Sequence, residues 1–147
     1  MKTIGDLLKV KGRRVWSIRP SASVFEALQQ MAEKGIGALA VVEDGLLEGI
    51  FTERDYARKI VLLGRSSSTT AVGEVMTAKI AVVDPKRTVE EAMALMTDKH
   101  VRHLPVMDGG KLVGMVSIGD LVKAIISEQQ FVIAQLENYI YGHQSKP

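Results

Sequence analysis

Apolar and polar positions follow the same order twice along the chain. Each pass opens on a short apolar run, Val15 to Ile18 and then Ile80 to Val83, with a proline two residues beyond it. A run stopped in this way predicts a strand and then a break. Helical spacing follows, in Val24, Ala27, Leu28 and Met31 of the first pass and Val89, Ala92, Met93 and Met96 of the second. Ser23 and Thr88 stand at the N-cap positions, with Glu26 and Glu91 three residues later to complete capping boxes. These helices are predicted to end near Gly35 and His100. ALAVV and LPVM then read as strands, EDG and DGG as hairpin turns needing positive φ, and LLEGIFT and KLVGMVS as return strands. A second helix opens after each hairpin, DYARKIVLL in one pass and DLVKAIISEQQFVIAQLENYI in the other.

Shifting the chain by 65 positions lays Pro20–Asp55 on Pro85–Asp120 without a gap, and about a third of the aligned positions are identical. The matches include Met31 with Met96, Gly45 with Gly110, Gly49 with Gly114 and Asp55 with Asp120. A long internal repeat means two copies of one supersecondary unit, each burying its apolar face against the other. Upstream, IGDLL (from Ile4) resembles VGEVM (from Val72), so each copy is expected to begin at such a turn. The predicted fold is α/β (α+β): two β-α-β-β-α units about a pseudo-twofold axis. Residues 1–63 form the first unit, the polar GRSSSTTAVG stretch 64–73 the linker, and 74–147 the second unit with its long terminal helix.

That last helix outruns its counterpart. Leu121, Val122, Ile125, Val132, Leu136 and Ile140 keep helical spacing past the end of the repeat. An apolar stripe of this length predicts a homodimer contact.

Composition narrows the function classes. The 147 residues are 46% hydrophobic and 24% charged, as in a soluble globular protein. A formal charge of +2 with interspersed signs gives nucleic-acid binding no support. With no cysteine, disulfides, thiolate metal sites and cysteine nucleophiles are excluded, and a reducing compartment, the cytoplasm, is expected. No stretch reads as a signal peptide or membrane span.

The candidate chemistry lies where each return strand meets its helix, at Thr52-x-x-Asp55 and Ser117-x-x-Asp120. The first N–H groups of a helix lack partners within it and can face an anion. A Thr or Ser hydroxyl adds a donor, and an ionised Asp one turn inward only accepts, which suits paired sugar hydroxyls. The same pattern is also a plain capping box. In the second copy Arg102 and His103 precede the strand LPVM and offer two polar, potentially cationic groups.

GIFTERD (from Gly49), GMVSIGD (from Gly114) and VRHLPVMD (from Val101) resemble the motifs of a tandem pair of CBS domains, a Bateman module, over nearly the whole chain. The chain is similar to small stand-alone CBS-pair proteins of bacteria and plant organelles. The resemblance implies non-catalytic sensing of an adenosine-containing ligand, AMP, ADP, ATP or NAD(H), with output to an unknown effector protein and no catalytic cofactor. It implies that Asp55 and Asp120 take ribose hydroxyls, that Thr52 and Ser117 sit near ribose or phosphate, and that Arg102 and His103 contact phosphate. It also implies that adenine packs on Ile18 and Ile80, joined by Val101 and Met115. Gly37 and Ala38 replace the Arg-His pair in the first copy, so Arg54 and Arg58 are expected to supply phosphate charge there, in a cleft roomy enough for a dinucleotide.

Other functions draw on fewer residues. Ser117, His103 and Asp120 name a hydrolytic trio, but without a G-x-S-x-G elbow and without a second copy, because Ala38 replaces the histidine. His100, His103 and His143 have neither H-E-x-x-H spacing nor a cysteine partner for a metal. The main alternative is a structural or oligomerisation module without a nucleotide ligand.

Overall fold

The computed structural model describes residues 2–141; His143 lies outside them. In chain order the elements are α1 (Ile4–Lys11), β1 (Ser17–Ile18), α2 (Val24–Lys34), β2 (Ala38–Glu43), β3 (Leu46–Thr52) and α3 (Glu53–Asp55). A π-helical stretch, Tyr56–Val61, continues α3. Then come α4 (Val72–Val75), α5 (Val89–Lys99), β4 (His103–Asp108), β5 (Lys111–Ser117) and α6 (Ile118–Tyr141). This is the expected α/β fold of two related units.

The hairpins repeat in detail. β2 pairs antiparallel with β3 and β4 with β5, and the register slips at Val41/Val42 in one and at Val106/Met107 in the other. Asp44 and Gly45 turn the first hairpin, and Gly109 and Gly110 the second, all with positive φ. That conformation is what the EDG and DGG sequences predict.

The opening strands differ. β1 pairs parallel with β2, and the Trp16 carbonyl accepts the Ala40 N–H at 3.2 Å. The expected strand at Ile80–Val83 is reduced to a single bridge from Val83 to Val106. Pro105 stands where the first copy has Ala40, and a proline has no N–H to donate.

Two further expectations change. DYARKIVLL forms the wide π-helical stretch rather than a regular helix, carrying Ile60 into the core and Lys59 onto Asp55. Thr88 and Glu91 make a reciprocal capping box, whereas Ser23 caps α2 through its hydroxyl alone. The 64–73 stretch supplies other partners there: Thr70 and Ser67 carbonyls accept the Val24 and Phe25 N–H groups at 2.9 and 3.0 Å.

Packing exchanges the opening helices of the two copies. Ile4, Leu7 and Leu8 of α1 enter one core with Val89, Met96, Leu104, Val106, Val116 and Leu121. Val72 and Val75 of α4 enter the other with Val24, Met31, Leu39, Phe51 and Ile60. Backbone bonds match the exchange: Ile4 and Gly5 donate to the Arg87 and Pro85 carbonyls, as Val72 and Gly73 donate to those of Ala22 and Pro20. The turns that precede each copy in sequence thus complete the other copy's core.

Leu121 is fully buried and Ala124 and Ile125 still pack against the second core, and beyond them α6 leaves the body of the protein. Val122, Ile126, Phe131, Val132, Ile133, Leu136, Tyr139 and Ile140 are all exposed. No helix among the described residues is long and apolar enough to cross a membrane.

Candidate functional site

A cleft of about 950 Å³ lies between the halves. From the first half come Gly37, Ile50, Thr52, Glu53, Arg54, Asp55, Arg58 and Lys59, and from the following segment Thr77, Lys79, Ile80 and Ala81. The second half adds Lys99, His100, Val101, Arg102, His103 and Pro105. Ile50, Ile80, Ala81, Val101 and Pro105 give an apolar part. Six basic side chains, Arg54, Arg58, Lys59, Lys79, Lys99 and Arg102, share the lining with only two carboxylates, Glu53 and Asp55. Such a surface fits a ligand with one flat apolar end and one anionic end.

The grouping differs from the sequence expectation. Val101, Arg102 and His103 line the cleft of the Thr52–Asp55 motif, and His103 also stands beside the second motif, paired across the hairpin with Ser117. Arg102 therefore supplements Arg58 where Gly37 seemed to leave the cleft short of charge. Arg54 is partly committed, since its guanidinium donates to the His100 carbonyl at 2.6 Å. The space beside Gly37 is taken by the Glu53 carboxylate, with the His103 ring in ordinary contact distance at 3.7 Å. Ala38 is buried in β2, Ile18 packs on the first core, and Met115 lies in β5 opposite Pro105.

Both Ser/Thr-x-x-Asp motifs form the capping box. Thr52 Oγ1 accepts the Asp55 N–H at 3.2 Å, and Asp55 Oδ2 accepts the Thr52 N–H at 3.0 Å. Ser117 and Asp120 repeat the pair at 3.2 and 2.8 Å. The N–H groups of Glu53 and Ile118 donate to the Gly37 and Arg102 carbonyls. Two of the first three amides at each helix start are thereby used, so charge for an anion comes chiefly from side chains.

The two aspartates are held differently. Asp55 is 5% exposed. Its Oδ1 accepts Thr77 Oγ1–H at 2.9 Å and lies 3.1 Å from Lys59 Nζ, while Oδ2 also takes the Thr52 hydroxyl at 3.2 Å. Asp120 is partly exposed, and its Oδ2 takes Lys11 Nζ at 2.6 Å beside the Ser117 N–H. Burial works to raise the Asp120 pKa, but the Lys11 ammonium and the Ser117 donors outweigh it and hold the carboxyl below its ordinary value. Burial, with help from the Lys11 charge, lowers the His103 pKa below 6.5 against the pull of Asp120 and Glu53.

Lys59, Lys79, Lys99, Thr77 and Lys11 escaped the sequence reading. Lys59 was within reach of it, four residues after Asp55 on a helix. Nothing local marks Lys11, which is 109 residues from Asp120 in the chain.

A sequence model of the CBS domain matches residues 4–62 and again 72–127. The chain belongs to the CBS-domain family. It is a CBS-pair regulatory module, and its cleft lies between the two matched units. It is 43% identical over 150 residues to the mitochondrial CBS domain-containing protein CBSX3 of Arabidopsis thaliana, a match spanning 95% of this chain and 72% of that one. The structure of a protein described as a signal-transduction protein with CBS domains, from Burkholderia ambifaria MC40-6, is 52% identical. It superposes with a TM-score of 0.84, over 87% of this chain and 96% of that one. The CBS domain pair of protein MJ0100, in complex with 5′-methylthioadenosine and S-adenosyl-L-methionine, shares the fold at 22% identity and a TM-score of 0.77. That match spans 87% of this chain and 98% of that one.

Proposed function

We propose that this CBS pair is a non-catalytic sensor that binds an adenosine-containing nucleotide, AMP, ADP, ATP or NAD(H), and signals to a partner protein. The carrying observation is the cleft between the halves, with its apolar part beside six cations. In this reading the base packs on Ile80, Ala81 and Val101, and the phosphates meet Arg102, Arg58 and Lys79. A ribose hydroxyl at Asp55 Oδ1 replaces the Thr77 hydroxyl, and Lys59 turns from Asp55 to the phosphate. Adenosine-derived ligands in a pair of the same fold add support. Ser117 fits a structural role better than a nucleophile's, because its hydroxyl caps α6. The sensor is expected to act in the cytoplasm.

Calorimetry on Arg102→Ala tests the phosphate contact. A charge-assisted hydrogen bond is worth about 1.5–3 kcal/mol, so AMP should weaken roughly 10- to 100-fold while adenosine changes little. Equal losses for AMP and adenosine refute the assignment.

His103 adds a pH dependence. Its pKa is lowered in the folded state, so as pH falls below 6.5 the unfolded chain takes up this proton first. The contribution of His103 to stability is therefore complete above 6.5 and declines as pH drops toward its lowered folded value. A bound phosphate favours the imidazolium. The advantage of the wild type over His103→Asn in AMP affinity should accordingly grow from pH 8 to pH 6, because protonation of the AMP phosphate at about pH 6 acts on both proteins alike; a constant difference removes His103 from the site.

A homodimer through the exposed face of α6 would carry the output, because ligand-driven movement of the halves reaches a partner through that helix. Leu136→Glu should convert the dimer to monomer in light scattering; a dimer that survives places the contact elsewhere. The same exposed face favours the second reading, an oligomerisation module without a nucleotide. Binding to the native state must raise the melting temperature, so no shift with any of the four nucleotides at millimolar concentration would favour that module.

A further inference from the structure

The two copies differ in how far their opening helices run. α4 ends at Val75, and Thr77, Lys79, Ile80 and Ala81 of the segment after it line the open cleft. α1 matches α4 from Ile4 to Leu8 but continues to Lys11, and the chain from Leu8 to Val15 is three residues longer than from Met76 to Ile80. Lys11 stands in that inserted turn. Its ammonium donates to Asp120 Oδ2 and to the Met115 carbonyl, both at 2.6 Å. Under the 65-residue register Met115 is the counterpart of Ile50, and Asp120 of Asp55, both of which line the open cleft. Lys11 thus bridges the two walls where the second copy's own motif would meet a ligand.

The helix leading into the inserted turn is firmly seated, while the turn itself is exposed, Val10 by 88%. Leu8, one turn before Lys11, is 1% exposed, and a Cβ on Gly114 would lie 2.8 Å from its methyl carbons. Gly114 precedes Met115 in β5, so the helix is seated on the strand whose carbonyl Lys11 takes. A second set of cations lies nearby in register. Trp16, the counterpart of the cleft residue Ala81, has Lys34 Nζ 4.3 Å and Arg14 Cζ 5.2 Å from its ring centre. The aromatic face that could stack a base is already attended by the chain's own charges.

We propose that Lys11 is an intramolecular plug: it occupies the sugar-binding acceptor of the second motif, so one cleft takes nucleotide while the other admits it only when the Lys11 side chain gives up Asp120. The inference rests on the nucleotide-sensor reading. It extends that reading to occupancy, because a ligand in the second cleft must compete with Lys11 for Asp120 and so couples to the seating of α1.

Calorimetric titration of AMP into the wild type, Lys11→Met and Lys11→Gln tests it, with circular dichroism to verify that each variant folds. Methionine keeps the apolar stem without the charge. A single AMP per chain in the wild type and a second site in the variants is the expected result. Two equal sites in the wild type, or no added site in either folded variant, overturns the plug. No uptake by the wild type with one site in Lys11→Met would sink the open-cleft reading and leave the plug standing. Carbon-13 NMR of the Asp120 carboxyl provides a ligand-free control: its titration should move to higher pH in Lys11→Met, and an unmoved titration shows that Lys11 does not hold it.

Discussion

Leu8→Ala is expected to lower the unfolding free energy by about 2–5 kcal/mol, although Leu8 precedes the first copy and its main loss falls on the second. The side chain is 1% exposed and packs in the core built from α5, β4, β5 and Leu121. Removing it leaves a cavity that its neighbours fill only in part, because the backbone bonds from Ile4 and Gly5 to Arg87 and Pro85 keep the helix in place. Urea denaturation followed by circular dichroism measures the loss. A change under about 0.5 kcal/mol, the usual range for a surface substitution, would mean that α1 is not docked where the structure places it.

Asp55→Ala should cost about 2–4 kcal/mol, clearly more than the roughly 1 kcal/mol expected of Asp120→Ala. The motif is the same, but the settings differ. Asp55 is buried, and four groups converge on it: the Thr52 amide and hydroxyl, the Thr77 hydroxyl and Lys59. Its loss strands polar groups in the interior. Asp120 is partly exposed, and its Lys11 partner can return to water, so the coupling there is screened. Thermal and urea midpoints of the two variants, compared without nucleotide, decide the matter. Equal destabilisation would show that Asp55 is no more embedded than its twin.

The sequence patterns that the fold realises are those whose causes are local. Ser23 and Thr88 cap their helices, Gly35 and His100 end them in the left-handed region, and the EDG and DGG turns close their hairpins, because each depends on residues within a few positions. The failed strand at Ile80–Val83 turned on a distant partner, Pro105, whose missing N–H was legible but whose pairing was not. For the site, Thr52, Asp55, Arg102 and His103 stood out by their own chemistry, Ile80 and Val101 through the family resemblance, and all six line the cleft. The grouping by copy was not legible, since Arg102 and His103 also line the cleft of the other half's motif.

The sequence by itself determined a duplicated unit, its strands and caps, and two Ser/Thr-x-x-Asp motifs, because period, turn chemistry and spacing act through short stretches of chain. Only the tertiary structure decided that the opening helices change places, that Asp55 is buried among Thr52, Thr77 and Lys59 while Asp120 is held by Lys11, and that cations from both halves line one cleft. Those outcomes depend on which apolar faces fit together and on where long side chains then reach, and neither is written in the spacing along the chain.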